Sequence, residues 1–127
     1  EMKGLSRADC VLRMNACGLF ALPSHSEGSP QALKEAMACN CPILATDIAD
    51  VRTLLGDLQG HYILRNPRKT HERWDADANS LDEMVTLLQD ALRFTGRTNG
   101  RDRILEMGLS NEQVAERLVA IYESVLA

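Results

Sequence analysis

Apolar residues form short continuous runs in the first half of the chain and helical repeats in the second half. Three runs have the length of buried strands, at residues 18–22, 42–45 and 61–64. The segment between the first two runs carries an apolar helical face, formed by Ala32, Leu33, Ala36 and Met37. Strand, helix and strand with short connections predict a βαβ unit, and hence an α/β fold with a Rossmann-like parallel sheet.

The helix of this unit has sequence signals at both ends. Ser29 is predicted to cap its first N–H groups, and Pro30 takes the first helical position, where no N–H donor is needed. Asn40 stands where a residue in the left-handed conformation commonly closes a helix. We therefore expect the helix to begin at about Pro30 and to end before Asn40.

Another helix is predicted before the first strand. It runs from Arg7 to about Asn15, with Ser6 as its cap. Its inward face is predicted to consist of Val11, Leu12 and Met14. A further helix, capped by Asp50 or Asp47 and closed by Gly56, is predicted before the run at 61–64.

The last third of the chain is predicted to be a helical tail over residues 80–127. Ser80 with Glu83, and Ser110 with Gln113, have the spacing of capping boxes. Two long helices are expected to have apolar faces, formed by Leu81, Met84, Val85, Leu88 and Leu92 and by Val114, Leu118, Ile121, Tyr122 and Val125. A short helix at about 100–107 separates them. Residues 66–79 are polar, and we expect a structureless surface loop there, with Trp74 packed against the body.

Composition narrows the class of protein. With 45% hydrophobic residues among 127, the chain is one domain or part of a larger one. A net charge of −4 disfavours nucleic acid as a partner. Cys39 and Cys41 lack the spacing of a zinc site, so no metal site is predicted. Nothing in the sequence suggests an oxidising compartment, so we interpret the four cysteines as reduced thiols. No apolar run is long enough to span a membrane.

The front of the helix after residue 30 is the candidate binding site. Its first N–H groups and its dipole favour a phosphate, beyond the carboxyl end of a parallel strand. Glu27 and Glu35 are expected to border the same crevice, and a carboxylate can accept hydrogen bonds from two sugar hydroxyls. His25 lies two residues before Glu27 and is a further candidate for contact with a ligand.

The sequence around these glutamates resembles glycosyltransferase family 4. The resemblance rests on Glu27 and Glu35 with seven residues between them, inside Pro23-Ser24-x-x-Glu27-Gly28-x-Pro30 and Glu35-Ala36-Met37-Ala38. It is dense from Arg13 to about Gly56. It implies a retaining enzyme of the GT-B fold that uses a nucleotide sugar and needs no other cofactor.

The resemblance also implies a role for each site residue. Glu27 would be the catalytic residue beside the donor sugar, and Glu35 would hold the ribose hydroxyls. Gly28, Ser29 and Pro30 would form the turn whose amides meet the diphosphate. The expected reaction transfers a sugar to a hydroxyl of a saccharide or lipid-linked acceptor. It belongs to polysaccharide, lipopolysaccharide or glycolipid synthesis, in the cytoplasm or at the inner membrane surface.

The resemblance covers only part of a GT-B enzyme. Residues 1–127 correspond to a partial C-terminal, donor-binding domain, with its βαβ core in residues 1–65. The N-terminal domain is missing, so we expect the chain alone to be inactive and to self-associate through uncovered surfaces. Ala49 replaces a glycine that the family often uses, so a positive φ there would be costly.

Two alternatives stay open from the sequence. One is a nucleotide-sugar epimerase of the same architecture, which would lack this pair of glutamates. The other is a non-catalytic donor-binding or assembly subunit, for which the replacement at Ala49 is an argument.

Overall fold

The computed structural model describes residues 4–66, 68–69, 74–75 and 78–126. Within these ranges, helices and strands alternate through the first half, and helices dominate the second. The elements are α1 (Arg7–Ala16), β1 (Phe20–Leu22), α2 (Gln31–Ala38), β2 (Ile43–Thr46), α3 (Val51–Leu55), β3 (His61–Leu64), β4 (Arg68–Lys69), β5 (Trp74–Asp75), α4 (Ala78–Arg93), α5 (Gly100–Glu106) and α6 (Asn111–Leu126).

The predicted parallel sheet is confirmed. Its strand order is β1-β2-β3, and β2 is the central strand. Phe20 pairs with Ile43 in one register, and Ile43 pairs with His61 in the other. All four residues of β2 are buried, as expected of a strand covered on both faces. The core joins this sheet to α2 and α3 and consists largely of small and aliphatic side chains.

The first helix forms as predicted, but fewer of its residues are buried than the sequence predicts. Ser6 caps α1, because its hydroxyl accepts a hydrogen bond from the Asp9 N–H at 3.2 Å. Met14 is buried, whereas Val11 and Leu12 are 42% and 67% exposed. The predicted inward position of Val11 and Leu12 is therefore wrong, since no described element covers that side of the helix.

The sequence predicts the carboxyl end of α2 correctly, but not its amino end. Pro30 is the N-cap residue, with a non-helical ψ of 111°, and the helix begins at Gln31. The predicted helical position of Pro30 and the predicted capping role of Ser29 are therefore both wrong. Asn40 has a φ of 52°, as predicted. The N–H groups of Asn40 and Cys41 bond back to the carbonyls of Met37 and Ala36, which is the pattern of a Schellman motif.

The segment between α4 and α5 holds the carboxyl end of α2. The Arg97 guanidinium donates hydrogen bonds to the carbonyl oxygens of Met14, Cys17 and Cys39, at 2.7–3.0 Å. Arg101 donates from its side chain to the Ala38 carbonyl. These cations lie where the helix dipole concentrates negative charge, so they also stabilise α2 electrostatically.

Backbone contacts complete this connection. The Thr98 N–H donates to the carbonyl of Asn40, and the Arg101 N–H donates to its side-chain oxygen, at 2.9 and 2.8 Å. Gly100 packs directly on the backbone of Met37, and a Cβ at Gly100 would lie 2.6 Å from the Met37 carbonyl oxygen. Only glycine fits at this approach of α5 to α2.

Several predictions for the second half need correction. The stretch 66–79 is not structureless, because β4 and β5 form an antiparallel pair and α4 begins at Ala78. Ser80 consequently lies inside α4 rather than at its cap. The predicted packing of the Trp74 side chain lies outside what the structure describes.

The two long helices are amphipathic, but their apolar faces are exposed. Four predicted core residues of α4 are between 41% and 65% exposed, namely Leu81, Val85, Leu88 and Leu92. In α6, Leu118, Ile121, Tyr122 and Val125 are between 50% and 78% exposed. The second capping box is confirmed, because Ser110 and Gln113 exchange side-chain to backbone hydrogen bonds at 3.2 and 3.3 Å. Local signals thus predict the helix starts better than they predict which faces are covered.

Replacing Gly100 with alanine should destabilise the fold by about 1–3 kcal/mol, because the new methyl group overlaps the Met37 backbone. Urea unfolding of the two proteins measures the difference. Gly18→Ala is the matched control, since nothing lies within 4 Å of a Cβ there. Equal unfolding midpoints for Gly100→Ala and Gly18→Ala would contradict the close approach.

The folded protein should lose stability as the pH falls below about 6.5. Burial lowers the pKa of His61 below its usual 6.5, and its buried Nε2 has no hydrogen-bond partner in the described part of the chain. Below that pH the unfolded chain binds a proton that the folded chain resists, so unfolding is favoured. Urea midpoints between pH 5 and 8 test this, and the His61→Gln variant should lack this part of the dependence. The same pH profile in both proteins would contradict it.

Candidate functional site

Two loops meet at the carboxyl edge of the parallel sheet. Residues 23–30 connect β1 to α2, and residues 47–50 connect β2 to α3. Because β1 and β2 are adjacent and parallel, both loops leave the sheet at the same edge. In open α/β sheets this edge is where ligands bind. The structure therefore places the predicted site residues of the first loop beside a second loop.

A hydrogen bond joins the two loops. The Ser29 hydroxyl donates to Oδ2 of Asp50 at 2.5 Å, across 21 positions of sequence. The other carboxylate oxygen of Asp50, Oδ1, is buried and has no hydrogen-bond partner among the residues that the structure describes. Sequence reasoning missed this pair, since it treated Ser29 and Asp50 as caps of separate helices. No short-range spacing could reveal a bond between two loops that only the folded sheet brings together.

The bond to Asp50 leaves the amino end of α2 open. Pro30 provides no side-chain cap, and the hydroxyl of Ser29 is engaged elsewhere. The first N–H groups of a helix have no acceptor within the helix itself, and the helix dipole adds partial positive charge there. Pro30 has no N–H, so the available donors come from the neighbouring residues of the loop and of the first turn. This end of α2 is therefore suited to an anionic ligand.

The predicted ligand contacts lie around this open end. Glu27 and Gly28 are exposed in the loop before α2, and a Cβ at Gly28 would meet nothing within 4 Å. Glu35 is exposed in the second turn of α2. Neither glutamate side chain forms a hydrogen bond or ion pair within the described part of the chain. His25 is exposed in the same loop as Glu27. The structure thus places a glycine and three polar side chains near the amino end of α2.

The second loop has a strained backbone. Ala49 has a φ of 48°, so the loop keeps the left-handed conformation in spite of the missing glycine. A non-glycine residue in this region costs about 1–2 kcal/mol. Beside it, Asp47 accepts two hydrogen bonds from the Arg52 guanidinium, at 2.5 and 3.2 Å. The pairing with Asp47 raises the pKa of Arg52.

Acidic side chains dominate the charge around this edge. Glu27, Glu35, Asp47 and Asp50 all belong to these loops or to α2. Lys34 is the basic residue of α2, and the positive charge of Arg52 is already paired with Asp47. An anion at the end of α2 would therefore rely mainly on backbone N–H groups. Across the described residues, no cluster of three or more His, Cys, Asp or Glu side chains is arranged to hold a metal ion.

Comparison with known proteins identifies related sequences. The sequence model of the family described as "Glycosyl transferases group 1" matches residues 2–95. A Bacillus subtilis (strain 168) protein named "Putative teichuronic acid biosynthesis glycosyltransferase TuaC" is 42% identical over 71 residues. The match covers 56% of this chain and 16% of that relative, so the chain spans a minor part of the relative's length. No solved structure gives a significant match.

None of the helices in residues 4–66 and 78–126 has both the length and the apolar composition needed to cross a membrane.

Replacing Ser29 with alanine should destabilise the fold by about 1 kcal/mol, because Asp50 then loses the one hydrogen bond that its half-buried carboxylate accepts. Urea unfolding measures the change. Ser26→Ala, an exposed serine of the same loop, is the matched control, and Ser29→Thr should keep most of the stability because it retains the hydroxyl. If Ser29→Ala unfolds at the same midpoint as Ser26→Ala, the link between the loops contributes nothing.

Proposed function

The chain belongs to the group 1 glycosyl transferases, and on this basis we propose that it forms the donor-binding part of a retaining, nucleotide-sugar-dependent glycosyltransferase. The proposed reaction moves a sugar from a nucleoside diphosphate to a hydroxyl group of a saccharide or lipid-linked acceptor. It places the enzyme in family 4, with the GT-B fold, and requires no resident metal or other cofactor. The chain would be the C-terminal-domain portion of a longer enzyme whose N-terminal domain binds the acceptor.

The open amino end of α2 is the observation that carries this proposal. It lies beyond the carboxyl end of β1, no side chain caps it, and Glu27 and Glu35 are placed before and within the helix. A diphosphate fits the N–H groups and the dipole of such a helix end. A carboxylate beyond the first turn can accept both hydroxyls of a ribose. The helix and its glutamate would therefore account for the diphosphate and the ribose of a nucleoside diphosphate.

The chemistry assigns different roles to the two glutamates. When the bond between the sugar and the diphosphate breaks, the diphosphate leaves with the electron pair and positive charge develops on the sugar ring. Glu27, in the loop beside the phosphate position, would stabilise that charge. Glu35 would hold the ribose, and the turn formed by Gly28, Ser29 and Pro30 would meet the leaving diphosphate. His25 would contact the donor from the same loop.

The acidic surroundings define what the rest of the enzyme must supply. A diphosphate next to Glu27 and Asp50 experiences repulsion that the helix end offsets only in part. Basic groups from another part of the longer enzyme would neutralise the leaving group. This explains why we expect the isolated chain to bind nucleotides weakly and to transfer no sugar, since one wall of the cleft holds no acceptor and few basic groups.

We propose the biological role only as a broad class of biosynthesis. The Bacillus subtilis relative carries a name that refers to teichuronic acid biosynthesis. We propose for this chain only the broader class of polysaccharide, lipopolysaccharide or glycolipid synthesis, with the enzyme in the cytoplasm or at the inner membrane surface. The donor sugar and its nucleotide base are left open.

The alternative of a non-catalytic subunit loses its main argument. It depended on Ala49, whose side chain makes a positive φ costly. The loop adopts a φ of 48° at this residue all the same, so the replacement of glycine does not prevent the conformation. The epimerase alternative is disfavoured by the paired glutamates.

Glu27→Ala and Glu35→Gln should affect the longer enzyme in different ways. Loss of Glu27 should lower kcat more than it raises KM, because the interaction develops in the transition state. Glu35→Gln should weaken donor binding about tenfold or more, since a hydrogen bond to a charged acceptor contributes about 1.5–3 kcal/mol. Initial rates with a series of nucleotide sugars, and calorimetry with UDP and GDP, measure both effects.

Glu106→Gln, an exposed carboxylate on α5, is the matched control and should change neither constant. Turnover of Glu27→Ala within about tenfold of the wild type would exclude the electrostatic role of Glu27. An unchanged donor KM in Glu35→Gln would show that Glu35 is only a surface residue. If the unmodified enzyme binds no nucleoside diphosphate, the proposed function itself is wrong.

A further inference from the structure

Two thiols lie in contact at the amino edge of the parallel sheet, opposite the edge of the candidate site, and the proposed reaction does not use them. Cys17 directly follows α1, and Cys41 lies two residues before β2. Their sulfur atoms are 3.2 Å apart. Cys41 is fully buried, whereas Cys17 is partly exposed. Both are free cysteines in this structure.

The fold holds this pair in place from several sides. The Phe20 N–H donates to the Pro42 carbonyl at 2.8 Å, which ties the chain after Cys17 to the chain after Cys41. Arg97 donates to the carbonyl oxygens of Cys17 and Cys39, so one guanidinium fixes the backbone at or beside both thiols. The contact between the sulfurs is therefore a consequence of the β1–β2 pairing and of the Arg97 hydrogen bonds.

The other two cysteines are arranged differently. Cys39 accepts a hydrogen bond from the Asn15 amide at 3.7 Å, and it precedes Cys41 by two positions around the left-handed turn at Asn40. Cys10 lies in the middle of α1. Among the described cysteines, the sulfur–sulfur contact joins Cys17 and Cys41.

Only one of the two paired thiols can be reached from solvent. Cys17 lines an open groove of about 530 Å³ along β1, together with Arg13 and Phe20. Cys41 has no exposed surface. A small oxidant in the groove would therefore react with Cys17 first, and Cys41 would be the resolving partner behind it.

We propose that Cys17 and Cys41 form an oxidisable dithiol, which a two-electron oxidant of the peroxide class converts into an intramolecular disulfide. In the first step the Cys17 thiolate attacks a peroxide oxygen and the O–O bond breaks. Hydroxide leaves and takes up a proton to form water, so Cys17 becomes a sulfenic acid. In the second step the Cys41 sulfur attacks the Cys17 sulfur and the S–O bond breaks. The hydroxyl group leaves as water with the proton of Cys41, so two thiols and hydrogen peroxide give one disulfide and two waters.

The environment of Cys41 makes it the second thiol to react rather than the first. Burial, followed by the hydrogen bond with Cys17, raises the pKa of the Cys41 thiol to about 12. Because a thiol reacts as its thiolate, Cys41 does not attack the peroxide, and its proton must leave as it attacks the sulfenic acid held beside it. Contact between the two groups replaces a bimolecular encounter with a step inside the fold.

Peptide mapping of the 127-residue chain after treatment with hydrogen peroxide tests the proposal. Remaining thiols are blocked with N-ethylmaleimide before digestion with trypsin. Trypsin separates Cys17, in residues 14–34, from Cys39 and Cys41, which share residues 35–52. We expect a crosslink between these two peptides in the monomer, reversed by dithiothreitol, while Cys10 in residues 8–13 stays alkylated.

Matched variants assign the crosslink to one pair. Cys39→Ser leaves the proposed pair intact and should form the crosslink as fast as the wild type, whereas Cys17→Ser and Cys41→Ala should lose it. Formation should also slow at least tenfold when the chain is unfolded in urea before the peroxide is added. The proposal is overturned if Cys39→Ser fails to crosslink, if Cys41→Ala still crosslinks through Cys39, or if the unfolded chain crosslinks equally fast.

Discussion

The close packing of α5 on the carboxyl end of α2 is the constraint on which the rest of the structure depends. Gly100 lies against the Met37 backbone with no room for a side chain, and Asn40 receives two N–H groups from the same segment. Arg97 extends the contact to the end of α1. A helix as short as α2 is marginal by itself, so these tertiary contacts give it a fixed position.

Fixing one end of α2 determines what the other end can do. Its carboxyl end is saturated by the Schellman bonds and by Arg101, while its amino end has no side-chain cap. Ser29 and Asp50 then hold the two flanking loops together at the sheet edge. The first N–H groups of α2 consequently border a cleft between the two loops. The position of this cleft is fixed by the contacts at the other end of the helix. This asymmetry suits a site that must receive an anion without itself being flexible.

The comparison with the sequence shows which kinds of signal are informative. Asn40 and the pair Ser110–Gln113 were predictable because their partners lie within a few residues. The bonds of Ser29 and Arg97 cross 21 to 83 positions, and no local pattern encodes them. Helical periodicity predicted amphipathic stripes on α4 and α6 correctly, but periodicity cannot say whether a stripe meets a partner. The family resemblance is the source of the predicted site residues. The hydrogen bond between Ser29 and Asp50 becomes visible only in the folded structure.

The reach of Arg97 has a consequence for synthesis of the protein. Its guanidinium donates hydrogen bonds to the carbonyl groups of Cys17 and Met14, which precede it by 80 and 83 positions. These two residues lie at the end of α1, just before the first βαβ unit. A nascent chain that emerges from its amino end therefore contains β1, α2 and β2 well before the residue that fastens them. Long-range contacts of this kind slow folding and leave apolar surface exposed in the interval. The hydrogen bonds that hold the end of α1 can therefore form only after Arg97 has been added to the chain.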